Sequence, residues 1–198
     1  MQSCTIHHLE PLASRPASVR EATEQTFREA MRHLASGVCV VTLCAGERRT
    51  GLTATSVSSL SAEPPTLLVC VNRASSGYAT LAGSGVFAVS VLAADQREFA
   101  ERFVGDAGLN GAERYQGGSW RVLPSGVSCL ADSVAVFDCE VDERIERHTH
   151  AIVIGRVRRV LLGAASGALV YWRGAFDQLG WSKDEVSRAI GLFPSGGN

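Results

Sequence analysis

The chain has 198 residues, 45% of them hydrophobic and 20% charged, which is typical of a globular domain with a real hydrophobic core. Nineteen Lys and Arg against 20 Asp and Glu leave a net charge of -1, so nothing in the balance attracts nucleic acid or an anionic membrane surface. No segment approaches about 18 uninterrupted apolar residues, and the first residues lack the basic start and apolar stretch of a secretion signal. We therefore expect a cytoplasmic protein with neither a nucleic acid nor a membrane as partner.

Six cysteines raise the question of disulfides or a metal site, and their spacing favours neither. No pair forms a C-x-x-C motif, and Cys39, Cys70 and Cys139 lie inside apolar runs, where a free thiol behaves as a small hydrophobic side chain. The sequence predicts free thiols and a reducing compartment.

The first predicted element is a helix that follows a flexible tail over residues 1–17. Ser18 and Glu21 have the spacing of a capping box, so we expect the helix to run from Ser18 to about Ala35. Its apolar stripe, expected to face the core, consists of Phe27, Ala30, Met31 and Leu34.

Seven strands and two short helices are predicted next, in one domain over residues 18–181. The strands are expected at Val38–Cys44, Thr50–Leu60, Thr66–Asn72, Val86–Leu92, Ser133–Arg147, Ala151–Leu162 and Ala168–Arg173. The helices are expected at Ser76–Ala82 and Asp95–Val104. Because turns of hairpin length join most neighbouring strands, the pattern predicts a mainly β fold, an antiparallel barrel with peripheral short α-helices.

Two stretches lie outside this regular pattern. Gly105 to Gly118 is rich in glycine and has no periodicity, which predicts a long, mobile surface loop. Residues 182–198 are expected to form a C-terminal helix and tail, because Ser182 and Glu185 repeat the capping-box spacing.

Small hydroxyl side chains cluster in the predicted strand Thr50–Leu60. The run Thr53, Ala54, Thr55, Ser56 and Val57 leaves its backbone N–H groups accessible, because these side chains are short. Such a strand suits the polar edge of a flat heterocycle that presents alternating acceptors and donors. An ordinary threonine-rich strand facing water explains the pattern equally well.

A second polar group stands at a predicted strand-to-helix junction and consists of Asn72, Arg73, Ser75 and Ser76. The free N–H groups and the positive end of the dipole at a helix N-terminus bind phosphate, and Arg73 would add a cationic donor. A simple helix N-cap accounts for Ser75 or Ser76 just as well. Arg73 beside them favours the phosphate.

His148 and His150 are two residues apart and would project to one face of a strand. Three interpretations stay open at this point: a metal site, two solvated imidazoles, or a histidine that faces a ligand. The sequence contains no Walker A, H-E-x-x-H or G-x-S-x-G motif, and the glycine pair Gly83 and Gly85 precedes a strand where a dinucleotide-binding motif needs a helix.

Taken in chain order, the motifs resemble a known family. They are Gly51-Leu52-Thr53-Ala54-Thr55-Ser56, Pro64-Pro65, Val71-Asn72-Arg73-x-Ser75-Ser76, Phe87-x-Val89-x-Val91-Leu92, Thr149-His150-x-x-x-Ile154-Gly155-x-Val157 and Leu169-Val170-Tyr171-x-Arg173-Gly174. From about Phe27 to Leu179 this order is similar to the flavin reductases with an FMN-binding split barrel. These short reductases supply reduced flavin to the monooxygenase component of two-component systems.

The resemblance implies a homodimeric split barrel that binds FAD or FMN and uses NADH, or NADPH, as cosubstrate, with FAD favoured by analogy. It implies that Thr53 to Val57 line the isoalloxazine ring, that Asn72 to Ser76 hold the ribityl chain and phosphate, and that His150 is the catalytic residue near the nicotinamide. Further cofactor-binding residues implied by the resemblance are Ser90, Phe103, Tyr171 and Arg173. The chain departs from the family pattern at Ser90, where Asn is frequent, and at His148-Thr149, where Gly-Asp or Gly-Thr is frequent.

Hydride transfer from nicotinamide C4 to flavin N5 requires no protein nucleophile, which agrees with the missing hydrolase motifs. Alternatives from other classes are a flavin-binding module without turnover and a split-barrel protein of the pyridoxamine-phosphate oxidase or haem-binding type.

Overall fold

The computed structural model describes residues 18–45, 48–105, 108–109, 111–164 and 167–180. The predicted tail over residues 1–17 and the predicted helix from Ser182 lie outside these ranges. Within them the protein is mainly antiparallel β with short α-helices, which confirms the predicted fold class. No helix in the described ranges is long and apolar enough to cross a membrane.

The element bounds are as follows. The helices are α1 Glu24–Met31, α2 Ser76–Ser84 and α3 Arg97–Arg102, with a 3-10 helix at Gly111–Tyr115. The first six strands are β1 Ser36–Gly37, β2 Cys39–Ala45, β3 Arg48–Ala54, β4 Val57–Ala62, β5 Pro65–Asn72 and β6 Val86–Val91. The last six are β7 Trp120–Val122, β8 Ser128–Leu130, β9 Ala135–Arg147, β10 His150–Leu162, β11 Gly167–Trp172 and β12 Ala175–Gly180.

Seven strands form the main sheet in the order β3-β2-β6-β9-β10-β5-β4, with every neighbouring pair antiparallel. Its two edge strands, β3 and β4, are consecutive in the chain and separated only by Thr55 and Ser56. Two residues span a few ångströms, so the sheet curls until its opposite edges meet at this corner. A small sheet, β1-β11-β12, and the β7-β8 hairpin complete the fold.

The hydrophobic core lies inside this curl and beneath the small sheet. The first cluster is built from continuous apolar runs of β2, β5 and β6, with Phe87 fully buried among them. A second cluster joins α3 to the small sheet through Phe99, Phe103 and Leu169. Burying one such side chain contributes about 1.5–3 kcal/mol, so the runs that predicted strands also stabilise them. The cysteines of the described ranges are free thiols, as predicted.

The predicted strand Thr50–Leu60 is wrong as a single element. The chain instead forms β3 and β4, which lie at opposite edges of the sheet. The Ser56 hydroxyl donates to the Cys70 carbonyl at 2.9 Å and accepts from the Cys70 N–H at 3.2 Å, which ties the corner to β5. Local alternation cannot reveal such a break, because the two Ser56 hydrogen bonds that fix the corner reach Cys70, 14 residues further along the chain.

The first helix also differs from its prediction. It begins at Glu24, because Thr23 and Thr26 form the reciprocal capping box that was expected from Ser18 and Glu21. It ends at Met31, and none of its residues is buried. The stripe expected to face the core is therefore exposed, with Phe27 at 61% and Leu34 at 58% of their full accessibility.

The glycine-rich stretch is more ordered than predicted where the structure describes it. Residues 111–115 form the 3-10 helix, which is bonded to β3 by Tyr115 and Arg114. Gly118 adopts a positive φ of 67°, and the Phe99 ring and Leu130 lie within 3.0 Å of where a β-carbon would stand there. Only glycine suits both constraints. The short strands β1, β7, β8 and β12 were not predicted from the sequence.

Candidate functional site

A cavity of about 850 Å³ opens where β3, the Thr55–Ser56 corner, the start of α2 and the start of β10 come together. This volume is in the range of small-molecule and cofactor sites. The predicted site residues that line it are Thr53, Ala54, Thr55, Ser56, Asn72, Ser75, Ser76, Phe103, His150 and Tyr171. Three motifs distant in the chain thus share one concave surface.

Thr53 lies on β3 in the cavity wall, but its donors are already used. Its hydroxyl donates to the Ala100 carbonyl at 2.6 Å, and its backbone N–H donates to the Phe103 carbonyl at 3.1 Å. Both carbonyls belong to the end of α3, so Thr53 caps that helix and positions the Phe103 ring at the cavity. The prediction that this residue offers a free N–H to a ligand is therefore wrong.

The corner of the sheet divides its hydroxyls between two roles. Ser56 is used structurally, because its hydroxyl is bonded to both polar backbone atoms of Cys70. Thr55 is exposed, and within the described ranges its hydroxyl has no hydrogen-bond partner. Thr55 is therefore the hydroxyl of this run that remains available to a ligand.

The N-terminus of α2 has the features of an anion site. Ser75 holds the N-cap position, yet its side chain makes no capping bond, and its buried hydroxyl oxygen has no partner among the described residues. No hydrogen bond in those ranges takes up the N–H groups of Ser76 and Gly77 either. Unpaired donors at the positive end of a nine-residue helix, in the wall of a cavity, suit a phosphate group.

Asn72 positions the approach to this helix end. Its side-chain oxygen accepts from the Ala74 N–H at 2.9 Å, and the Ser75 N–H donates to its carbonyl at 3.0 Å. The Asn72 side chain thus turns the chain from β5 into α2, which is the ordinary role of asparagine at such a junction.

Arg73 does not line the cavity. Its guanidinium forms an ion pair with Glu146 at 2.8 Å and donates to the His148 carbonyl at 3.2 Å. The Tyr78 hydroxyl donates to the other oxygen of the Glu146 carboxylate at 2.6 Å, and this hydrogen bond raises the pKa of Tyr78. We call Arg73, Tyr78 and Glu146 the rim network, since they join α2 to the β9-β10 hairpin beside the cavity.

His150 is the first residue of β10 and lies in the cavity wall. It is paired in register with Asn72 of β5, so the imidazole lies next to the strand end that leads to the anion site. The side chain is exposed, and its Nδ1 lies 2.9 Å from the Thr149 hydroxyl, which restricts the ring orientation.

His148 occupies the two-residue turn between β9 and β10 and is not part of a strand, so the prediction that it shares a face with His150 is wrong. Its φ of 50° lies in the left-handed region, which explains the glycine frequent at this position in the family pattern. Among the described residues, no three His, Cys, Asp or Glu side chains come together as metal ligands.

Three further predicted residues lie away from the cavity. Ser90 is completely buried, and its hydroxyl accepts from the Leu130 N–H at 3.2 Å, so it is a core hydrogen-bonding group. Arg173 lies in the β11-β12 turn with a φ of 52°, its guanidinium over the Trp172 ring at 4.7 Å. Val57 begins β4 and packs against the first core cluster. None of the three is among the residues that line this cavity, and their predicted cofactor contacts stay predictions.

Arg114 is a cavity residue that the sequence analysis missed. It is 95% buried, and its guanidinium donates to the Gly51 and Leu109 carbonyls, both at 2.9 Å. These bonds hold the 3-10 helix against β3 and place a cation in the cavity wall. An arginine within an aperiodic glycine-rich stretch carries no sequence signal of burial, so periodicity could not have identified it.

Gly51 shows why a small residue is needed in this wall. A β-carbon there would lie 2.6 Å from the Val41 carbonyl oxygen and 2.7 Å from the Phe103 ring. The site further includes Gly77 and Phe176, which the sequence analysis also did not select.

Several known proteins have sequences similar to this chain. A curated relative from Methylorubrum extorquens strain DM4, named FMN reductase (NADH) RutF, is 40% identical over 145 residues, 73% of this chain and 70% of its own. Another from Agrobacterium fabrum, with the same name, is 36% identical over 164 residues, 83% of this chain and 93% of its own.

Solved structures of similar proteins share the fold. BorF, the flavin reductase component of a bacterial two-component tryptophan halogenase, has a TM-score of 0.75 at 29% identity, over 80% of this chain and 99% of its own. The NADH:FAD oxidoreductase SgcE6 of Streptomyces globisporus C-1027, solved with NAD and FAD fragments, has a TM-score of 0.74 at 27% identity, over 85% of this chain and 99% of its own. Residues 31–180 match the model of the flavin reductase like domain. The chain therefore belongs to the flavin reductase-like family.

Proposed function

We propose that this protein is an NADH-dependent flavin reductase. The observation that carries the proposal is that one cavity is lined both by unpaired hydrogen-bond donors at the start of α2, which suit a phosphate, and by His150, whose strand β10 pairs with the strand β5 that leads to α2. Relatives of at least 36% identity are named FMN reductase (NADH), which supports both NADH as donor and FMN as acceptor. The reaction moves a hydride from nicotinamide C4 to flavin N5, with a proton taken from solvent.

The residues present fit a phosphorylated flavin. The buried Ser75 hydroxyl, the Ser76 N–H and the Gly77 N–H would hold the phosphate, because these donors have no partner in the described chain. Thr55 would contact the polar edge of the ring, and Phe103 and Tyr171 would pack on its apolar part. When bound, the flavin supplies the hydride acceptor.

The protein contributes orientation and charge. His150 would bind the nicotinamide carboxamide, since it lines the cavity next to Asn72 and has Nδ1 engaged with Thr149. The Arg114 guanidinium would stabilise the negative charge that the flavin ring gains on reduction. Its attraction to that charge is strong because water, which would screen it, is partly excluded from the cavity wall. Positioning of two bound rings is the main requirement of hydride transfer.

The partners are part of the same proposal. We propose FMN as preferred flavin over the FAD that the sequence analysis favoured, because the relatives with higher identity carry FMN in their names. A monooxygenase or related flavin-dependent component would take up the reduced flavin, by analogy with BorF, which is the reductase component of a halogenase system. The exposed apolar stripe of α1 supports a homodimer. The cytoplasmic location stays a prediction.

A steady-state assay tests the proposal. Purified protein is mixed with NADH or NADPH and with riboflavin, FMN or FAD, and the decrease of nicotinamide absorbance is followed under air. We expect oxidation of NADH that depends on added flavin and is fastest with FMN. Flavin binding without oxidation of either nicotinamide would contradict the proposal and leave the flavin-binding module. A haem absorption band, or conversion of pyridoxamine phosphate, would instead favour the other split-barrel functions.

A further inference from the structure

The turn between β9 and β10 is bonded to a single residue, Arg73, which directly follows β5. This turn consists of His148 and Thr149, and both of its carbonyl groups accept hydrogen bonds from Arg73. The Arg73 backbone N–H donates to the Thr149 carbonyl at 2.9 Å, and the guanidinium donates to the His148 carbonyl at 3.2 Å. His150, the next residue, is the histidine of the cavity wall.

The turn requires such support because of its own residues. His148 adopts a φ of 50°, a conformation that is common for glycine and unfavourable for a side chain with a β-carbon. In a free two-residue turn this histidine would favour other conformations, and His150 would follow them. Bonds to both carbonyls select the one turn geometry that is observed.

The rim network fixes the orientation of Arg73 in turn. Glu146 accepts from the Arg73 guanidinium with one carboxylate oxygen and from the Tyr78 hydroxyl with the other. The Arg73 side chain is thus held between a carboxylate and a carbonyl of the same hairpin. Its side chain is 44% exposed, so the contribution of this ion pair to stability is small and its effect is mainly geometric.

We propose that Arg73 is a positioning residue for His150 and not a ligand of the flavin phosphate. Arg73 acts through the turn: it holds the His148 and Thr149 carbonyls, and these place the imidazole at the nicotinamide side of the cavity. This inference rests on the proposed function for what His150 binds, while the constraint on the turn can be measured without any ligand.

The first experiment measures that constraint in flavin-free protein. Amide hydrogen exchange of residues 148–150 is compared among wild type, Arg73→Gln, Glu146→Gln and the double variant. Arg73→Gln removes the guanidinium bond to the His148 carbonyl and keeps the backbone bond to the Thr149 carbonyl. We expect exchange to be faster by about tenfold in this variant, the order expected for loss of a hydrogen bond from a charged donor. The double variant should show no more than the Arg73→Gln increase, because both substitutions act through one interaction.

The second experiment separates the positioning role from a phosphate role. In Arg73→Gln we expect the KM for NADH to rise by about fivefold to tenfold with kcat within about twofold, a loss of binding alone. FMN and riboflavin should bind within about twofold of wild type, because the guanidinium contacts neither. Arg28→Gln removes an exposed ion pair with Glu24 on α1 and is the matched control, expected to change none of these values.

The outcomes are distinguishable. Unchanged exchange at residues 148–150 in Arg73→Gln would overturn the proposal. So would a loss of affinity for FMN that riboflavin does not share, because that pattern identifies a phosphate ligand. If wild-type protein oxidised no NADH with any flavin, the proposed function would fail, and the exchange measurement would still decide whether Arg73 holds the turn.

Discussion

Replacing Gly51 with alanine tests whether β3 must lack a side chain where it contacts Phe103. The added methyl would lie 2.6 Å from the Val41 carbonyl oxygen and 2.7 and 2.9 Å from two carbons of the Phe103 ring. The carbonyl belongs to the backbone of neighbouring β2 and cannot yield. The ring is 1% exposed and is fixed by Tyr115 and Trp120, whose centroids lie 5.3 and 5.8 Å away.

Neither neighbour can move freely, so the substitution overpacks the wall. We expect the free energy of unfolding to fall by about 1–3 kcal/mol, the usual cost of an extra methyl group in a packed core. Because Gly51 and Phe103 both line the cavity, the displaced ring should also weaken flavin binding. Urea denaturation and fluorescence titration with FMN measure the two effects.

Gly83→Ala is the matched control. Gly83 lies in α2, is exposed, and has no atom within 4 Å of the position of a β-carbon. Alanine there should stabilise the protein by about 0.5–1 kcal/mol, because glycine is a poor helix former. The two substitutions should therefore have opposite signs. A Gly51→Ala protein with wild-type stability and wild-type FMN affinity would refute the packing argument.

Three further predictions concern the site and the core. Ser75→Ala should change the free energy of unfolding of flavin-free protein by no more than about 0.5 kcal/mol, since the Ser75 hydroxyl makes no capping bond, whereas loss of the Thr23 cap in Thr23→Ala should cost about 1 kcal/mol. In titrations, Ser75→Ala should weaken the binding of FMN but not of riboflavin. Equal weakening of both would contradict the phosphate assignment. His150→Gln should raise the KM for NADH severalfold with FMN affinity kept, and an unchanged KM would remove it from the nicotinamide site. Burial raises the pKa of the Cys39 and Cys139 thiols from 9.0 to about 12. As the pH rises from about 9 to about 12, these thiols ionise in the unfolded chain but not in the folded protein, so the free energy of unfolding should decrease over this pH range. Denaturation curves of Cys39→Ala/Cys139→Ala protein should show a smaller decline, and an identical one would exclude the thiols as its cause.

Much of the fold follows from local pattern. The apolar runs that predict β2 and β6 are buried on both faces, as expected for continuous hydrophobic segments, whereas the side chains of β5 alternate between buried and half-buried. The capping box of α1 shows the limit: the sequence predicts it at Ser18 and Glu21, and the chain forms it with Thr23 and Thr26. The choice depends on where the helix can start, which spacing alone does not specify.

The candidate site also separates what the sequence predicts from what only the folded chain decides. Small hydroxyl residues, an Asn-to-Ser junction and a histidine are patterns that favour a polar ligand without requiring one, and most of the residues selected in this way line the cavity. The hydrogen-bond partners of the individual residues cannot be predicted in the same way. Thr53 gives its donors to α3, Ser56 to Cys70, and Arg73 to the β9-β10 turn.

Each of those partners is distant in the chain: 47 residues separate Thr53 from Ala100, and 75 separate Arg73 from His148. Composition, element types and the order of motifs are local properties and can be inferred from neighbours along the chain. Which donor meets which acceptor depends on how the sheet curls and which distant segments it brings together. For that reason the order of motifs in the sequence indicates a flavin-type site by resemblance, whereas only the folded chain shows that the Ser75 hydroxyl has no partner among the described residues and that Arg73 is paired with Glu146.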